Sequence, residues 1–137
     1  MIAFLPGFAG EKASGAAGKA ASFTATVRDS FAGPMVEAAG ELDYDTAPRL
    51  RIVLRRALAA RPAPQVLVVD LAGVTFCDSA GLNTLLQARR NAERQDMVLR
   101  LARPSDIVTR LLEMTGVDQV FPVDSDVPDV VPHTRAG

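Results

Sequence analysis

The chain has 137 residues, 48% of them hydrophobic and 23% charged, with a formal net charge of −1. That is enough for one domain with a buried core, and too little charge for a global field that draws in nucleic acid or an anionic membrane. A lone cysteine, Cys77, excludes an intramolecular disulfide and fits a reducing compartment.

The first ten residues are apolar but have no basic leader, and Pro6 and Gly7 interrupt them, so they do not read as a signal peptide. No apolar run approaches the roughly 20 residues that span a bilayer, and the expected location is the cytoplasm. Residues 1–21, rich in Gly, Ala and Ser, read as a mobile N-terminal arm. Gly15–Ala20 hints at a phosphate-binding loop. Ala13 and Ala20 replace its first Gly and final Ser or Thr, and no strand precedes it.

Phe23–Arg28 reads as a strand with Phe23, Ala25 and Val27 on one face, and Asp29–Pro34 as a turn. Met35–Leu42 completes a hairpin, with Gly40 marking a bulge or a close approach. At the next helix start Asp45 or Thr46 can cap, and Pro48 is tolerated in the first turn. Leu50, Val53, Leu54, Ala57 and Leu58 form its apolar stripe, with Arg49, Arg51, Arg55 and Arg56 outside. After Arg61–Pro64, Val66–Val69 is a short apolar run suited to a strand buried on both faces. Strand, helix and strand in that order favour parallel pairing.

The chain is organised around the next stretch, Asp70-Leu-Ala-Gly-Val-Thr-Phe-Cys-Asp-Ser-Ala-Gly-Leu82, which leaves that strand and enters a helix. Leu82, Leu85 and Leu86 mark the helix's apolar stripe, and Arg89, Arg90 and Arg94 its basic face. Ser79 falls at or next to the N-cap, near unpaired backbone N–H groups that favour an oxygen, and a phosphate more strongly. Met97–Ala102 is a fourth strand. Pro104-Ser105-Asp106 caps a third helix with Ile107, Val108, Leu111, Leu112 and Met114 or Thr115 on its core side. Met97 and Met114 both read as core. Gly116 suits the helix C-terminus with Val117 packing back, and Val120–Val123 is a short edge strand. From Asp124 onward the chain reads as a loose acidic tail. The resulting class is α/β, one domain over 22–123 with a mixed sheet of four to five strands covered by amphipathic helices, and a flexible tail over 124–137.

Several chemistries are disfavoured. Asp78-Ser-Ala-Gly81 lacks the Gly two residues before Ser of a nucleophile elbow, and the only histidine, His133, lies in the tail. A serine without a positioned base is not activated. One Cys and one His supply no metal-ligand pair, so no metal is expected. Cys77 reads as a small packing residue. Asp70 resembles a phosphoacceptor Asp at a strand end, but there is no lysine after Lys19 and no acidic cluster after the first strand; it reads as a strand terminator that hydrogen-bonds locally. The arginine-rich helix faces carry no interleaved aromatics and read as solvated, which argues against direct nucleic-acid binding.

Gly40-Glu-Leu-Asp43, the Thr46-Ala-Pro48 helix start, Val68 through Leu82 and Met114 through Phe121 together resemble a STAS domain, closest to the free-standing anti-sigma-factor antagonists. The resemblance covers about Phe23 to Val123, and Asp-Ser-Ala-Gly-Leu is its most specific element. It implies a non-enzymatic switch that binds, when unphosphorylated, an anti-sigma factor that is also a serine kinase, releasing the sigma factor. The kinase, holding ATP and magnesium itself, then phosphorylates the serine, and a phosphatase resets the cycle. By this resemblance Ser79 is the phosphoacceptor; Asp43, Asp45, Thr46, Asp78, Ser79, Ala80, Gly81 and Leu82 form the partner-binding surface. No cofactor is implied for the chain itself, and no membrane partner. Ala80 stands where many relatives have Ser or Thr, which removes a second acceptor. The alternative is a STAS-like adaptor in a transporter or signalling complex with no phosphorylation cycle.

Overall fold

The five strands pair in the order in which the chain makes them. The computed structural model describes residues 23–30 and 33–127. Strand β1 (Thr24–Ser30) runs antiparallel to β2 (Gly33–Leu42). From there every pairing is parallel, β2 with β3 (Val66–Cys77), β3 with β4 (Val98–Ala102) and β4 with β5 (Val123–Asp124). The sheet order is thus β1-β2-β3-β4-β5. Parallel neighbours need long crossovers, and helices α1 (Ala47–Leu58), α2 (Ser79–Arg94) and α3 (Asp106–Thr115) lie within them. The mixed α/β fold is the one expected. The expected arm at 1–21, its phosphate-loop-like stretch and His133 lie outside the described residues.

The three helices of the described residues contribute to one core. Leu50 and Leu54 of α1, Leu82 and Leu85 of α2, and Val108 and Leu112 of α3 join Val36, Leu67, Val69, Leu71, Leu99 and Leu101 of the sheet. The arginines of α1 stay outside. Each fully buried Leu is worth roughly 1.5–3 kcal/mol. Because strand side chains alternate, Met35, Val68 and Ala102 point to the opposite face, where Val127 covers them. The first half of the central strand, Leu67–Leu71, is therefore buried on both faces, by helices on one side and by a returning segment on the other.

Several boundaries differ from those read in the sequence. The first turn is shorter, since Asp29 pairs with Pro34 and Ser30 with Gly33. Val27 shares a strand face with partly buried Ala25 but is itself exposed. Strand β3 continues through Asp70 to Cys77, with register shifts against β2 between Glu37 and Ala39 and between Gly40 and Glu41. Gly40 thus sits at the expected irregularity. Asp70 does not end its strand. It accepts from Ala72 N at 3.1 Å and, buried, takes both ends of the Arg103 guanidinium at 3.3 and 2.6 Å.

In α3 the buried line is Val108 and Leu112, while Ile107 and Met114 are exposed; Met114 is not core. Ser105 occupies the N-cap position, but its hydroxyl makes no capping bond. Gly116 ends α3 with φ +76°, a conformation that favours glycine, and Val117 packs back on the core as expected. Residues 124–127, read in the sequence as the start of a loose tail, are part of the fold, and 128–137 lie outside the described residues. Asp124 belongs to β5 and pairs with Arg100 through two 2.8 Å hydrogen bonds, and Val127 is buried.

Candidate functional site at the start of α2

Strand β3 delivers the chain to α2 through Cys77 and Asp78. Asp78 is extended (φ −116°, ψ −170°), the geometry of an N-cap residue, and its Oδ1 accepts from Ala80 N at 2.9 Å and Gly81 N at 3.3 Å. Ser79 is therefore the first helical residue rather than the cap. It is exposed, and among the described residues its hydroxyl has no hydrogen bond. The neighbouring carboxylate meets the backbone donors in its place. A hydroxyl so presented is open to chemistry from outside.

The platform beneath Ser79 is rigid. Asp78 N donates to Leu42 O at 3.2 Å, which ties the start of α2 to the end of β2. Gly81 is buried where a Cβ would lie 2.6 Å from Leu42 Cγ and 3.0 Å from Cys77 Sγ, so only glycine lets the first turn approach this closely. Leu82 is buried in the core, and Thr84 Oγ1 donates to Ala80 O at 3.1 Å. Cys77 is a buried free thiol whose pKa is pushed up to about 11, chiefly by burial and secondarily by the Asp78 carboxylate. It is a packing residue and stays protonated.

The adjoining loop is fastened from within. Asp43 Oδ1 accepts from Asp45 N at 3.0 Å and Thr46 N at 3.1 Å, while Thr46 Oγ1 donates to Glu41 O at 2.7 Å and accepts from Asp43 N at 2.9 Å. Thr46 holds the N-cap position of α1 without a side-chain capping bond, because its hydroxyl is spent on the loop.

Of the eight residues expected to meet a partner, Asp45, Asp78, Ser79 and Ala80 reach the surface around the head of α2. Asp43, Thr46, Gly81 and Leu82 are buried. They are covered by the surrounding fold and shape the site from below. Tyr44 was missed. It is 80% exposed, between two aspartates and on the rim of the groove that Ser79 opens into. Its signal was an aromatic residue in a loop that has no core to fill.

Among the described residues no three His, Cys, Asp or Glu side chains gather to hold a metal ion, and no helix is long and apolar enough to cross a membrane.

A family model described as "Mlab, STAS domain" matches residues 25–125. The chain is 28% identical over 116 residues to the anti-sigma-F factor antagonist RsfB of Mycobacterium tuberculosis, across 85% of this chain and 93% of that one. It superposes on the crystal structure of an anti-sigma factor antagonist from Mycobacterium paratuberculosis with a TM-score of 0.70 and 28% identity, covering 83% of this chain and 95% of the other. The Bacillus cell fate determinant SpoIIAA in its phosphorylated form shares the fold, with a TM-score of 0.60 at 18% identity over 82% and 98% of the two chains.

Proposed function

The chain belongs to the STAS domain family, and from that premise we propose that it is an anti-sigma-factor antagonist switched by phosphorylation of Ser79. The observation that carries this reading is the exposed Ser79 hydroxyl, left without a hydrogen bond at the first position of α2. The names borne by its relatives supply the partner class, an anti-sigma factor. The unphosphorylated chain binds that factor and frees the sigma factor. The partner is a serine kinase that brings its own ATP and magnesium, and a phosphatase reverses the step. The chain is a binding module, works in the cytoplasm and catalyses nothing itself.

Electrostatics supports an off-switch. Phosphoserine carries roughly −1.5 to −2 charges. Asp78 is its sequence neighbour, and Asp45 lines the same groove. Burying three negative groups against one partner surface is unfavourable, and a penalty of about 3 kcal/mol lowers affinity more than a hundredfold. The fold need not change, because the modified side chain projects from an exposed position.

The test is a pull-down from native lysate with wild type, Ser79→Ala and Ser79→Asp, followed by intact-mass analysis. Capture of an anti-sigma factor by wild type and Ser79→Ala but not by Ser79→Asp, with phosphate on wild type alone, supports the reading. If all three capture the same partner and none carries phosphate, Ser79 only opens the helix, and the adaptor reading replaces this one.

A further inference from the structure

Helices α1 and α2 lie side by side, and the groove between them opens at Ser79. That end is lined by Tyr44 and Asp45 from the loop, Arg51 from α1, and Asn83 and Gln87 from α2. Among the described residues lining this end, Arg51 is the one cation. It is exposed, and it has neither a hydrogen bond nor an ion pair with any described residue. Arg55, about 5–6 Å further along the same helix, lines the stretch of groove beyond, with Leu54 and Leu58.

We propose that Arg51 is the counter-charge of phosphorylated Ser79, reaching across the groove to hold the phosphate oxygens. The inference rests on the reading of Ser79 as phosphoacceptor. A guanidinium is charged at every relevant pH, and its fork of N–H donors matches two phosphate oxygens at once. Asp78 is fixed at the head of α2 by its bonds to Ala80 and Gly81, and Asp45 lines the same groove, so among the described residues at this end Arg51 is the charge that attracts a phosphate where the carboxylates repel it. In the unmodified protein Arg51 has no described partner and is available to an acidic group on whatever enters the groove. Phosphorylation claims it. The modification therefore adds negative charge to the surface and withdraws a positive one.

The test uses phosphoserine inserted at position 79 during translation, so no kinase is required. The phosphate is titrated by phosphorus NMR in the otherwise wild-type chain and in Arg51→Gln, Arg51→Lys and Arg55→Gln. The second ionisation of phosphoserine ordinarily falls near pH 6. Of the charged groups lining this end of the groove or flanking Ser79, Asp45 and Asp78 raise that midpoint and Arg51 lowers it. Removing Arg51 is expected to raise the midpoint by about half a unit or more, with Arg51→Lys restoring part and Arg55→Gln leaving it in place. Thermal unfolding of each variant checks that these surface changes leave the fold intact. An unchanged midpoint in Arg51→Gln, or equal shifts in Arg51→Gln and Arg55→Gln, overturns the proposal. Failure to find phosphate on Ser79 in cells would instead overturn the reading of the switch, and the titration would still report on Arg51.

Discussion

Asp78 and Ser79 divide two tasks that either residue could perform alone. The carboxylate of Asp78 accepts the N–H groups of Ala80 and Gly81, and the hydroxyl of Ser79 is left outside the backbone network. Aspartate and serine are about equally good N-caps, so composition does not choose between them. The backbone does, because the extended residue is Asp78.

This division is measurable by urea denaturation. Asp78→Ala is expected to destabilise the domain by about 1 kcal/mol, with Asp78→Asn retaining most of that. Ser79→Ala should stay within about 0.5 kcal/mol of wild type, like other surface changes. Equal losses for Asp78→Ala and Ser79→Ala would mean that the hydroxyl is structural.

Gly81 gives a second test. A methyl group there meets Leu42 and Cys77 at sub-contact distance, and overpacking of this kind destabilises by about 1–3 kcal/mol. Gly81→Ala should lower the thermal midpoint, and Leu42→Val in the same chain should recover part of the loss. The coupling is read from the double-mutant cycle.

The Arg100–Asp124 pair gives a pH signature. Its hydrogen bonds, opposed by partial burial and aided by direct charge attraction, hold the Asp124 carboxyl below its usual range. The resulting stability is fully present above the ordinary aspartate pKa of about 3.9 and is lost as pH falls through the lower folded value. Asp124→Asn should therefore destabilise at pH 7 by no more than about 1 kcal/mol, since the pair is partly solvated. Denaturation curves of the two proteins should converge as pH falls below about 4.

Cys77 should be unreactive in the native state. With its pKa near 11, the thiolate is scarce at pH 8, and burial blocks approach. Iodoacetamide at that pH should leave the folded chain unmodified and label it in urea, as read by intact mass. Rapid labelling of the native protein would show that the head of α2 opens.

Much of the architecture was legible in the sequence because its signals are local. Gly116 after a helical run, Pro48 in a first turn and the apolar spacing of Leu50, Leu54 and Leu58 each act within a few residues, and all hold in the fold. What was not legible depends on partners distant in the chain. Strand β3 extends to Cys77 because β2 pairs with it across two register shifts, although the stretch after Val69 shows neither alternation nor an unbroken apolar run. Asp124 looks like tail until Arg100, 24 residues earlier, is brought beside it. Asp70 gives no hint of Arg103, 33 residues away. At the site, the sequence marked the head of α2, but four of the eight residues it marked are buried, since a local motif does not separate what shapes a surface from what forms it. Tyr44 and Arg51 lie outside the motif; Tyr44 is marked only as an aromatic residue in a loop, and Arg51 reads as one of several arginines on a solvated helix face.

A sheet laid down in chain order also bears on how the protein is made. No strand has to be inserted between two others, so each new strand can add to an edge that already exists while the chain emerges from the ribosome. The pairing that closes the fold is the last to arrive: β5 on β4, with Val127 over Met35 and Val68. Until the ribosome has delivered that segment, the far face of the sheet stands open, and a nascent chain stalled before it would display Met35 and Val68, which the finished fold buries.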